Sequence, residues 1–247
     1  MSVLRRLPAA VKRAIAKCFW PLMPSWPDEG RRIVQGPVLK GLIERAARQC
    51  HFRRVLNAGS GESGFAFLLA TLPGLEQLLE TDIDLSGGRA RVTANQIFFR
   101  SSLTDIPLPD RSIDLVLCTE VLEHIPDDGT ALDEIARVLV PTGWLLISVP
   151  TPPAVPDPAH VREGYKPEDL REMLEERGFN VLEIQFCMYR FFRWILANWE
   201  KLPYRPRVLI RGLSYLDRLL SLGPPMDLVL LARRKGEGGT FKVTKQY

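Results

Sequence analysis

Cysteine is scarce in this chain: four in 247 residues, Cys18, Cys50, Cys118 and Cys187, none in a C-x-x-C pair and none clustered with histidine at metal-ligand spacing. That distribution offers neither a disulfide framework nor a zinc site, so no metal is expected, and it suits a reducing, cytoplasmic setting. Long apolar runs are missing too. No stretch approaches the roughly 20 residues that a membrane span needs, and Lys12, Arg13 and Lys17 interrupt the N-terminal stretch before a signal-peptide core forms. There is no internal repeat, and low complexity is confined to the C-terminal tail. What remains, 46% hydrophobic and 25% charged, is the composition of an ordinary folded chain of one large domain or two small ones.

Charge is unevenly spread. The net +4 divides into +9 over residues 1–54, −9 over 55–150 and +4 over 151–247. A basic arm ahead of an acidic middle either docks on an anionic surface or packs on its own chain. From Leu4 to Phe19 the apolar residues recur at helical spacing with basic residues between them, a short amphipathic helix suited to a membrane interface or to covering one end of the domain. The Pro-rich stretch Pro21 to Pro27 ends it, and Gly36 to Cys50 reads as a second helix.

From Arg53 the pattern alternates between strands and helices. Strands are predicted at 53–58, 75–83, 95–101, 113–119, 144–149, 179–187 and 226–232, and helices at 65–72, 129–139 and 166–177. Near-continuous apolar strands separated by helices predict a doubly wound α/β architecture: a mainly parallel sheet covered on both faces. The aromatic, basic segment 189–222 predicts helices packed over the sheet or over a ligand, with Arg190, Arg193, Arg205, Arg207 and Arg211 facing anionic groups in the second case. The expected organisation is a basic helical extension over 1–50, the main domain over 51–235 with an insertion or lid at about 189–222, and a flexible basic tail over 236–247.

Chemistry is suggested first by GSGESG at residues 59–64, between the first strand and a helix. Gly59, Gly61 and Gly64 let a ligand approach the backbone and aim N–H groups at it. The pattern also satisfies G-x-G-x-x-G, so alone it leaves an NAD-dependent oxidoreductase open. An acidic residue at the end of the next strand suits ribose hydroxyls in either case, and Asp82 and Asp84 qualify.

The stretch 101–152, SSLTDIPLPDRSIDLVLCTEVLEHIPDDGTALDEIARVLVPTGWLLISVPTP, resembles class I S-adenosylmethionine-dependent methyltransferases of the methyltransferase type 11 group, and the resemblance runs from about Arg54 to Gly178. It implies a Rossmann-like seven-stranded sheet with an antiparallel last strand, S-adenosylmethionine as cofactor and S-adenosylhomocysteine as product. It further implies that Asn57, Gly59, Ser60 and Gly61 border the cofactor, that Asp82 and Ile83 meet the ribose, that Ser102 and Leu103 meet adenine, and that Cys118, Thr119 and Glu120 border the methionine end. Pro141 to Gly143 is expected to turn into the fifth strand. Two positions depart from the family: Asn57 and Ser102 stand where acidic residues are common, which motivates the rival reading of a catalytically silent scaffold that keeps the fold. Ser can accept a hydrogen bond from the adenine amine, but without charge assistance.

Methyl transfer from a sulfonium works through alignment and a shielded site, with a base needed only when the acceptor must lose a proton. His124 is expected to be a structural residue capping the next helix. His160, in the Pro-rich loop after the fifth strand and near Arg162 and Tyr165, is the expected acceptor contact, with Tyr165 beside it as the second catalytic candidate. The acceptor class is small-molecule, glycan or lipid-linked. No nucleic-acid partner is expected, and peripheral contact with the inner membrane face would run through the N-terminal helix.

Overall fold

The computed structural model describes residues 20–236 except 26, 87, 88 and 90. The N-terminal amphipathic helix expected over 4–19 and the tail over 237–247 lie outside the described residues. Seven strands, β1 (Arg54–Ala58), β2 (Gln77–Asp82), β3 (Gln96–Arg100), β4 (Ile113–Thr119), β5 (Leu139–Pro150), β6 (Phe179–Cys187) and β7 (Asp227–Arg234), form one sheet in the order β3-β2-β1-β4-β5-β7-β6. β1 to β5 pair in parallel, and β7 runs antiparallel to both β5 and β6. The chain winds outward from β1 to one edge, then restarts at β4 toward the other. The carboxyl ends of β1 and β4 are therefore the switch point at which such sheets open a crevice.

β4 shows why the sheet is covered twice. Val116 and Cys118 join one hydrophobic cluster while Leu115 and Leu117 join the other, as the two-residue period requires. Helices α4 (Asp128–Val138) and α5 (Pro167–Glu176) cover the first face with Ile135 and Leu170. The second face carries α2 (Gly36–Ala47), the single turn α3 (Ala66–Leu69), α6 (Arg190–Ala197) and α7 (Arg207–Leu220), through Leu39, Leu69, Phe192 and Ile210. Residues expected to form an extension ahead of position 51 are thus built into this core.

Some local expectations needed correction. Helix 65–72 is reduced to the single turn α3, because the Thr71 hydroxyl takes the Leu68 carbonyl at 2.8 Å and Pro73 follows. The 141–143 turn exists, but as an excursion inside β5: pairing jumps from Ile113–Leu139 to Leu115–Trp144, with Thr142 at φ 71°. An additional helix, α1 (Pro27–Val34), begins with Pro at its first position and acidic Asp28 and Glu29 in its first turn. It packs on α7, and Gly30 makes the approach feasible, since a Cβ there would lie 2.9 Å from Ser214 Oγ of α7 and 2.7 Å from the Phe192 ring of α6.

Candidate active site

The Gly-rich turn leaves β1 and is moored to the end of β2. Ser60 N–H donates to the Thr81 carbonyl at 2.9 Å, Gly61 N–H donates to Asp82 Oδ2 at 2.7 Å, and the Ser63 hydroxyl donates to the buried Glu80 carboxylate. Gly59 sits at φ 68°, and a Cβ on it would lie 2.4 Å from Val121 Cγ2. No other residue fits there. At the end of β4, Glu120 adopts φ 54°, which turns the chain sharply into 121–127.

These turns enclose a cavity of about 600 Å³. Of the expected cofactor residues, Gly59, Gly61, Asp82, Ile83, Ser102, Leu103 and Glu120 line it. Asn57 and Cys118 are buried inside paired strands, Ser60 is 8% exposed behind the turn, and Thr119 is half-buried at the end of β4; none of these four borders the cavity. Val121 and Ile125, from the segment DLVLCTEVLEHI that the resemblance sets beneath the methionine moiety, also line it, and Thr104 joins them.

A second cavity of about 570 Å³ adjoins the first and shares Glu120 and His124 with it. Its roof is the Pro-rich loop from Ala154 to His160, and its far walls bring Arg31, Met188, Trp199 and Met226 from four separate stretches of chain. The loop is stapled down: Val161 N–H donates to the Glu123 carbonyl at 2.9 Å, and Arg162 donates to the Ile125 and Pro126 carbonyls and to Asp128. His160 lines this cavity. Tyr165 does not: it is 5% exposed, and its hydroxyl bonds to Asp128 Oδ2 at 2.7 Å and the Leu122 carbonyl at 3.2 Å. Burial raises its phenol further above the ordinary value, so it anchors the loop from beneath. His124 does not cap α4 either. Asp127 does, accepting from Thr130 N–H, while the His124 ring meets the Ala159 carbonyl at 3.0 Å.

The anionic groups imagined opposite the arginines are in part the protein's own. Arg207 and Arg211 bond to Glu29 at 2.9 and 3.2 Å, and Arg205 stacks on Trp199. Beneath the second cavity lies a buried polar chain: Gln35 Nε2 donates to Ser148 Oγ and Asp227 Oδ2, Ser148 Oγ donates to Glu120 Oε1, and Cys187 Sγ donates to Asp227 Oδ2. Burial, then the Glu120 charge, holds the Asp227 carboxyl well above its ordinary value. Burial and Glu120 also push Glu123 up to about 9. Burial, with the neighbouring His124, lowers His160 below the usual imidazole range, so its ring is neutral near pH 7.

Residues 56–147 match the methyltransferase-domain family of type 11. A probable S-adenosylmethionine-dependent methyltransferase of Mycolicibacterium smegmatis is 35% identical over 153 residues, 57% of this chain and 57% of that protein. An O-methyltransferase of Aspergillus sclerotiorum is 30% identical over 154 residues, covering 53% of this chain and 56% of that protein. This chain thus spans little more than half the length of the curated relatives it matches. Among solved structures, the YcgJ protein of Bacillus subtilis superposes with a TM-score of 0.58 at 20% identity over 81% of this chain and 99% of that one, a likeness of fold.

Strand order, the Gly-rich turn and the acid ending β2 match the Rossmann-like fold of class I S-adenosylmethionine-dependent methyltransferases. Within that class, residues 56–147 are similar to the type 11 group. The first cavity fits such a cofactor on its own geometry, because Gly59, packed too closely on Val121 for any side chain, presents bare backbone to it and Asp82 stands at its rim.

Proposed function

We propose that this protein transfers a methyl group from S-adenosylmethionine, bound in the first cavity, to a hydroxyl-bearing amphiphile whose polar end enters the second. The carrying observation is the sharing of Glu120 and His124 by two adjoining cavities, one at the Gly-rich turn and one under the Pro-rich loop. When bound, the cofactor supplies a methyl carbon already activated on a sulfonium. The chain's own work is alignment and exclusion of water. Asp82 accepts the ribose hydroxyls with Ile83 beside it, Gly59 and Gly61 bring the backbone against the cofactor, and Leu103 meets the adenine. The Ser102 hydroxyl, which already accepts from Thr104 N–H at 3.1 Å, serves as the uncharged polar contact. His160 meets the acceptor, and Tyr165 holds the loop that carries it.

An amphiphilic acceptor is supported by the outer face of α7. Val208, Leu209, Tyr215, Leu216, Leu219 and Leu220 recur at helical spacing on its solvent side, and Leu219 is 78% exposed. Arg207, Arg211 and Arg218 flank this stripe, and exposed Trp20, Leu22 and Met23 continue it toward the N-terminal stretch. An apolar stripe edged with arginine matches an anionic lipid surface. No helix among the described residues is long and apolar enough to cross a membrane, so the contact is peripheral.

Calorimetric titration tests the reading. Micromolar binding of S-adenosylhomocysteine with no binding of NAD supports it. A folded protein that binds neither cofactor is a silent scaffold.

A further inference from the structure

We propose that Glu123, His124 and His160 form a divalent transition-metal site of the zinc class at the junction of the two cavities. Their donor atoms all lie within 4.8 Å of one another. The Glu123 side chain is 0% exposed, and both its oxygens are buried without a hydrogen-bond partner, so a carboxyl group has been taken from water and left unsatisfied. Both cavity-facing imidazoles stand beside it. His124 Nε2 is 3.9 Å from Glu123 Oε1, and the His124 and His160 rings meet edge to face with centroids 4.7 Å apart.

The surrounding bonds orient these donors as a metal site requires. A carbonyl oxygen can only accept, so the 3.0 Å contact to Ala159 places the proton of His124 on Nδ1 and leaves the Nε2 lone pair free. The loop carrying His160 is fixed to the same segment by Val161 N–H on the Glu123 carbonyl. Glu120 is already committed to Ser148 and, at 3.7 Å, to Arg31, so the ligand set is Glu123 with two imidazoles. Ligands bonded at about 2.0–2.2 Å around a tetrahedral ion stand roughly 3.4 Å apart. A turn of the His160 ring, whose side chain is 16% exposed, closes the remaining gap. Two nitrogens and one oxygen leave a coordination position open toward the cavity, the pattern of a catalytic rather than a structural zinc.

This deepens the methyltransferase reading and rests on it for its chemical consequence. An acceptor hydroxyl in the open position gives up its proton more readily, through the nearby Asp157 carboxylate to solvent. Its oxygen then bonds to the methyl carbon as the carbon–sulfur bond breaks and the sulfur keeps the electron pair. The products are a methyl ether, a neutral thioether and one proton.

The test uses the untagged, chelator-stripped full chain titrated with Co²⁺, read by visible absorption, and with Zn²⁺, read by calorimetry. One ion per chain at micromolar affinity or tighter is expected. His160→Ala, His124→Ala and the isosteric Glu123→Gln should each weaken binding tenfold or more, while His51→Ala, at the remaining and exposed histidine, should not. Circular dichroism melts confirm that each variant is folded. Folded wild type that binds no ion, or binding undiminished in both His124→Ala and His160→Ala, overturns the proposal. S-adenosylhomocysteine titration in parallel separates the two readings: cofactor bound without metal removes this site alone, and metal bound without cofactor removes the methyltransferase reading alone.

Discussion

Gly61 and Asp82 are joined by a 2.7 Å hydrogen bond from the glycine N–H to Oδ2 of the carboxylate, so the Gly-rich turn and the acid that ends β2 are one unit. The other oxygen accepts Asp84 N–H at 3.0 Å. Each oxygen keeps a lone pair for a ribose hydroxyl. Asp82→Ala should therefore weaken S-adenosylhomocysteine binding by tenfold or more, about 1.4 kcal/mol. Asp82→Asn should weaken it too, because its amide must turn an N–H toward either Gly61 or Asp84. Calorimetry on both variants checks this, and wild-type affinity in Asp82→Asn would show that the carboxylate is not the ribose ligand.

Those two residues were legible in the sequence because the information is local. A strand, a Gly-rich turn and an acid ending the next strand lie within 30 residues, and each signals its own conformation. The second cavity was not legible in that way. Arg31, Met188, Trp199 and Met226 meet there only because α1, α6 and β7 are brought together by the sheet, and nothing in their neighbourhoods marks them. His160 and Tyr165 show a finer limit. Both were assigned to the acceptor side, yet the loop turns one into the cavity and the other onto Asp128, a difference of orientation that no spacing in an irregular segment encodes. Helix α1 is the opposite case, since Pro27, Asp28 and Glu29 are a plain start signal that the Pro-rich stretch before them obscured.

The buried carboxyl of Asp227 makes stability depend on pH. The folded protein keeps this proton in a range where the unfolded chain has released it, so the unfolded state binds fewer protons and stability falls as pH rises above the ordinary carboxylate value. The penalty grows by about 1.4 kcal/mol for each pH unit over which the proton is retained. Asp227→Asn mimics the protonated acid, accepting from Gln35 and Cys187 through its oxygen and donating to Glu120 through its amide. Its Tm should exceed that of wild type by several degrees near pH 8.5, and the gap should shrink toward about pH 4.5. A gap that is constant with pH would mean that Asp227 is ionised in the fold.

Asp217, buried in α7, holds the start of α6. Its carboxylate accepts N–H groups from Tyr189, Phe191 and Phe192 at 2.8, 2.9 and 3.0 Å, a charged cap on donors that have no other partner. Asp217→Ala should cost about 2–3 kcal/mol, lowering Tm by about 5–10 °C. Asp217→Asn should fall between, since one oxygen can still accept. Because α6 leads to Trp199, hydrogen exchange should rise across 189–200 in both variants. Unchanged exchange there would uncouple the cap from the cavity wall.

The outer face of α7 separates a lipid seat from a protein interface. Wild type should bind vesicles containing anionic phospholipid, more weakly as salt is raised, since Arg211 and Arg218 contribute charge and the leucine stripe contributes apolar area. Leu216→Glu with Leu219→Glu should reduce binding by tenfold or more, from the loss of about 1.5 kcal/mol or more per leucine transferred and the added repulsion. Both side chains point away from the core, so cofactor affinity and Tm should hold. Removing residues 1–20 should weaken binding further if the basic arm shares the surface. If the double substitution leaves vesicle binding intact but dissociates a dimer seen by sedimentation, the stripe is the contact between two copies of this chain, and the acceptor needs no membrane to present it.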